Sequence, residues 1–138
     1  MTRKVFFIAF CALALVACKK SPDGEMDLRN AVVTGDVINL TSTSATVTVF
    51  YNQVANMKID KKYVYFSTDS NPKEDINGVV SWNNRYDDPE TGANCFIYTG
   101  LQPGTTYYYQ GYMTYDMGFV SNATAYGEVK SFTTPVSD

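Results

Sequence analysis

The stretch TGLQPGTTYYYQGYMTY, residues 99–115, decides the architecture. Pro103–Gly104 marks a tight turn, because proline presets its own φ and glycine tolerates backbone that other residues avoid. Residues 105–115 follow as the most aromatic run of the chain, rich in the Tyr and Thr that suit a pleated, half-buried surface. Successive strand residues point to opposite faces. Tyr107, Tyr109, Gly111 and Met113 therefore share one face, and Tyr108, Gln110 and Tyr112 share the other.

Working outward, six more runs of strand-forming residues are separated by turn residues, and no useful helical period appears. They cover residues 31–40 (with a break near Gly35), 45–51, 61–68, 76–82, 94–99 and 124–134. Residues 45–51 alternate cleanly, with Ala45, Val47, Val49 and Tyr51 on one face and Thr46, Thr48 and Phe50 on the other. A polar loop rich in Asn, Asp and Pro is expected over residues 83–92, and a frayed tail from Pro135 onward. Seven short strands in about 100 residues predict an all-β, seven-stranded antiparallel sandwich. A domain of about 105 residues buries enough surface to fold without metal or disulfides.

LQPGTTY, residues 101–107, resembles the corner between the fifth and sixth strands of fibronectin type III domains. The likeness extends over residues 34–134, through TGDVINLTSTSATV, YFSTDSNP and AYGEVKSFTT, and points to the modules found in surface lipoproteins of Gram-negative bacteria. It implies an immunoglobulin-like fold in which Leu101 plugs the core, Pro103 begins the turn, and the Tyr107 hydroxyl bonds back to the turn backbone. One departure stands out. The tryptophan usual on the second strand of such domains is replaced by Val47 or Val49, so either Trp82 fills the core from the fourth run or it stands on the surface.

The N-terminus carries an address. Arg3 and Lys4 precede the apolar run VFFIAFCALALV, residues 5–16, and then Ala17 and Cys18. A basic head, a short apolar run and small residues at the cut form an export signal. The run ends at Lys19–Lys20, short of the roughly 20 apolar residues a spanning helix needs. Leu15-Val16-Ala17-Cys18 resembles the bacterial lipobox, which implies cleavage between Ala17 and Cys18 and acyl chains on the Cys18 sulfur and α-amine. Each buried methylene contributes about 0.8 kcal/mol, so two or three chains hold the protein to a membrane. By analogy with lipoprotein sorting, Lys19 rather than Asp after the cysteine favours the outer membrane. The expected organisation is a signal peptide over 1–17, lipidated Cys18 and a tether to 30, a sandwich over 31–135 and a tail over 136–138.

Loss of Arg3 and Lys4 with the signal leaves nine basic residues against fourteen acidic ones, a net charge of about −5 with the α-amine acylated. An acidic chain without a basic run lacks the footprint for nucleic acid, and the pairs Lys19–Lys20 and Lys61–Lys62 read as solvated surface. Cys11 leaves with the signal and Cys18 takes lipid, so Cys95 has no intramolecular partner and reads as a half-buried strand residue.

The chain contains no histidine. That removes the commonest general base and metal ligand, and with it any Ser–His–Asp or Cys–His arrangement. No phosphate-cradling glycine loop is present. Asp87, Asp88 and Glu90 lie in one polar loop but lack the alternating spacing of a known calcium loop, and they read as solvated. Asn39-Leu40-Thr41 and Asn122-Ala123-Thr124 match glycosylation spacing, which a bacterial anchor makes uninformative. The expectation is a protein that is not an enzyme, needs no cofactor beyond its covalent lipid, and holds no metal.

The functional hint is aromatic. With Tyr107 inward, Tyr108 and Tyr112 point outward. On the third run Val64 and Phe66 suit the core, which turns Tyr63 and Tyr65 outward. In the fold that the resemblance implies, these two strands are neighbours, so Tyr63, Tyr65, Tyr108 and Tyr112 form one exposed patch. A tyrosine offers a flat apolar face and a polar tip, suited to stacking on sugars or anchoring a protein. Cross-strand pairing that stabilises the sheet is the competing reading. Two roles follow: a lipid-anchored module binding a glycan or an envelope protein, or a spacer or assembly subunit acting through its sheet edges.

Overall fold

A computed structural model describes residues 28–138 except Ala55. The signal, the cleavage site at Ala17, the lipidated Cys18 and most of the tether lie outside the described residues. Eight strands are present among them: β1 (Val32–Ile38), β2 (Ala45–Tyr51), β3 (Lys58–Ser67), β4 (Val79–Ser81), β5 (Arg85–Asp87), β6 (Asn94–Tyr98), β7 (Thr106–Asp116) and β8 (Ala123–Thr133). They form two antiparallel four-stranded sheets in the orders β1-β2-β6-β5 and β4-β3-β7-β8. The all-β sandwich is there, with eight strands where the sequence predicts seven. The extra one is β5, inside the stretch expected to be loop. It pairs Arg85, Tyr86 and Asp87 with Phe96, Cys95 and Asn94 of β6.

Two other boundaries differ. β3 starts at Lys58, three residues before the start expected at Lys61. β4 holds only Val79–Ser81, because residues 69–78 are tied up as a loop containing a 3-10 turn, Pro72–Glu74. The Ser67 hydroxyl donates to the Asp75 carboxylate, which also accepts from Asn77 N–H at 2.9 Å.

The core lies between the sheets. β7 alternates along its length, with Tyr107, Tyr109, Gly111, Met113 and Tyr115 buried. They meet Val32, Val47, Val49, Val64, Phe66 and Phe96. Phe66 stacks on Tyr98 and Tyr107, with ring centroids 3.8 and 5.2 Å away. Phenyl and phenol rings thus fill this part of the core. Trp82 is 57 % exposed and takes no part in the core.

Three devices lock this arrangement. At the corner, Leu101 is buried and Gln102 N–H donates to the Tyr107 hydroxyl at 2.8 Å. Across the core, the Tyr109 hydroxyl donates to the Gly35 carbonyl at 2.7 Å, joining β7 to β1 of the opposite sheet. At Gly111 the sheets approach so closely that a Cβ would overlap the Val49 side chain. The break expected near Gly35 is a β-bulge: β1 carries one extra residue between Thr34 and Val37, and the Thr48 hydroxyl donates to the Asp36 carbonyl at 2.8 Å. The end of the chain is bonded too. Gly104 N–H donates to the Pro135 carbonyl at 3.1 Å, and Ser42 N–H to the Asp138 carboxylate at 2.6 Å.

Candidate functional site

β3 and β7 pair in antiparallel register, with Tyr63 opposite Tyr112 and Tyr65 opposite Gln110. Val64 and Phe66 are buried, so Tyr63 and Tyr65 stand on the outer face of this sheet with the even-numbered residues of β7. Tyr112 lies between two β3 rings, 4.7 Å from Tyr63 and 4.3 Å from Tyr65, nearly parallel to both. Its ring also lies near that of Tyr126 of β8, with centroids 5.7 Å apart and planes 26° from parallel. The result is a stack of four phenols that crosses three strands.

Three of the four predicted tyrosines are therefore brought together. Tyr108 is not. It sits on the same face, but register places it between Ser67 and Ser131, and Gln110 separates it from Tyr112. The Gln110 side chain donates to the Gly127 carbonyl at 2.8 Å, which holds that spacer in place. Tyr126 takes the fourth position, and the sequence pattern missed it because β8 carries an extra residue between Tyr126 and Val129 that breaks the two-residue alternation. At the 43 % exposed Tyr126 ring, the Lys73 ammonium from the 3-10 turn lies 4.4 Å from the centroid, a cation–π contact.

Desolvation, followed by the hydrogen bond and charge of Tyr65, holds the Tyr112 phenol well above its ordinary pKa. Tyr112 is therefore neutral at physiological pH, its ring faces covered by Tyr63 and Tyr65.

The other candidate groups are committed elsewhere. Asp87 accepts from the Asn94 side chain. Asp88 accepts from Glu90 N–H at 3.0 Å and from the Thr91 hydroxyl at 2.8 Å, and these bonds lower its pKa, the Thr91 hydroxyl most. Among the described residues no three of His, Cys, Asp and Glu gather as a metal-holding group. Cys95 is buried in β6, more deeply than the half-burial expected, and desolvation raises its pKa, leaving a thiol rather than a thiolate.

No protein-family model and no curated protein matches the chain. Among solved structures, it is similar to the sensor domain of the anti-sigma factor RsgI4 of Pseudobacteroides cellulosolvens. That likeness has 16 % identity and a TM-score of 0.47, covering 82 % of this chain and 97 % of the other.

Proposed function

We propose that the chain is a lipid-anchored, non-catalytic binding module of the cell envelope, built on a fibronectin type III-like sandwich and held at the outer membrane by Cys18. The lipobox-like LVAC and the basic, apolar leader support the anchor. The strand orders of the two sheets and the Tyr107 corner bond support the family reading. The observation that carries the function is the stack of Tyr63, Tyr65, Tyr112 and Tyr126 on the solvent side of one sheet. Neutral stacked phenols suit the apolar faces and hydroxyls of a glycan, or an anchor residue of an envelope protein.

Action through sheet edges is less well supported. β4 and β5 have three residues each, and β1 and β8 are bulged, all of which discourage strand addition.

The test replaces Tyr63, Tyr65, Tyr112 and Tyr126 with serine and screens wild type and variant against glycans and envelope proteins. Binding by wild type that the variant loses is the expected result. An identical, empty profile for both refutes the proposal.

A further inference from the structure

A cleft of about 400 Å³ opens at the edge of the sandwich where β3 runs on past the end of β4. β4 pairs only with Val64–Phe66, so residues 58–63 of β3 border a gap that β5 faces from the other sheet. Trp82 and Arg85 line one wall, and Asp60, Lys61 and Lys62 the other. Its volume falls within the range of small-ligand sites.

The composition of the cleft is what sets it apart. In a chain with fourteen acidic residues against eleven basic ones, three cations line this cleft. None forms a salt bridge among the described residues. Lys62 rests over the Tyr51 ring, its ammonium 5.7 Å from the centroid. Arg85 lies over the Phe96 ring at 5.9 Å and donates to the Trp82 carbonyl, so its planar fork is held in place. Asp60, the one carboxylate in the cleft, is the extra residue of a β3 bulge and accepts from the Thr114 hydroxyl at 3.4 Å. Trp82, 57 % exposed, supplies an aromatic surface beside these charges.

The geometry points to a subsite for the carboxylate or sulfate of an acidic saccharide, with Trp82 stacking on the sugar ring and Arg85, Lys61 and Lys62 pairing with the anion. A guanidinium matches the two oxygens of a carboxylate or sulfate, and two flexible ammonium groups complete the charge. Lys61 and Tyr63 are two residues apart on β3 and share its outer face, so the cleft adjoins the tyrosine stack and one polymer can engage both. An extended peptide fits less well: the bulge at Asp60 and the lysines beside it oppose strand addition, and the Tyr63 carbonyl already accepts from the Tyr51 hydroxyl at 2.6 Å.

The inference rests on the binding-module reading and narrows it, and its test separates the two. The full chain in detergent is titrated with polygalacturonate, with its carboxyl-reduced neutral counterpart, and with polyglutamate. Polygalacturonate is expected to bind, to weaken with salt, and to lose about tenfold in affinity in Trp82→Ala and in Arg85→Gln, each loss about 1.4 kcal/mol. Lys130→Gln, which alters a cation on β8, should leave affinity unchanged. Equal binding of polyglutamate, equal loss in Lys130→Gln, or full affinity in both cleft variants would each overturn the subsite. Binding of the neutral polymer alone, lost in Tyr112→Ser, would overturn the subsite and leave the tyrosine stack standing as a binding surface. Failure of polygalacturonate to bind at all overturns the subsite as well.

Discussion

Tyr109→Phe removes a single oxygen from the centre of the sandwich. Tyr109 is 1 % exposed, and its hydroxyl donates to the Gly35 carbonyl on the opposite sheet. The ring, and with it the packing against Phe132 at 6.0 Å, stays. What is lost is the hydrogen bond, and what is left is a buried carbonyl at a bulge, where the β1–β2 ladder is interrupted. Orphaning such an acceptor costs about 1–3 kcal/mol. A loss of about 2 kcal/mol corresponds to roughly 8–10 °C in Tm for a domain of this size. Urea unfolding followed by circular dichroism should show a lower midpoint at unchanged slope, since the surface exposed on unfolding is the same. Tyr108→Phe is the matched control: Tyr108 is half-buried and has no ring contact among the described residues, so its change should stay within about 0.5 kcal/mol. Equal stability of Tyr109→Phe and wild type would refute the claim that this bond ties the sheets together.

Gly111→Ala should destabilise by about 1–3 kcal/mol, measured in the same unfolding experiment, because the new methyl meets the stiff, buried Val49 and also crowds Val32. At alkaline pH, burial raises the Tyr109 pKa to about 12, and Tyr51 and Tyr98 are shifted the same way by burial. These phenols stabilise the fold fully below the unfolded value near 10, and that contribution fades as pH rises from about 10 to 12. The phenolates of Tyr51, Tyr98 and Tyr109 should therefore appear together in one cooperative step with unfolding; their appearance near pH 10 in the folded protein would contradict the burial. Lys130→Ala, which removes the exposed ion pair to Asp36 at 3.2 Å, should shift unfolding by less than about 1 kcal/mol. Cys18→Ser should abolish incorporation of radiolabelled palmitate and release the protein from membranes; retention of either would overturn the anchor.

Much of the fold is legible in residues 99–115, because the β7 alternation needs only a turn, a two-residue period and a choice of inner face. β2 reads as well for the same reason. β5 does not, since Arg85, Tyr86 and Asp87 are all exposed and owe their strand form to pairing with β6 rather than to any pattern of their own. The start of β3 is hidden likewise: Lys58, Asp60 and Lys61 are polar and exposed, and only the β7 partner across from them extends the strand. At the candidate site, parity put Tyr63, Tyr65, Tyr108 and Tyr112 on one face correctly. Parity carries no register, however, so it could not tell that Gln110 isolates Tyr108, nor that a bulge in β8 brings Tyr126 into the stack. The cleft beside Trp82 was illegible because its walls come from β3, β5 and the end of β4, which no local pattern joins.

The central claim is that Tyr63, Tyr65, Tyr112 and Tyr126 exist for contact. Ring-labelled tyrosines observed by NMR during titration with a glycan or envelope protein that the screen returns test it directly. The signals of these four rings should move while those of the buried Tyr107, Tyr109 and Tyr115 hold still. Saturating binding that leaves all four unmoved would contradict it.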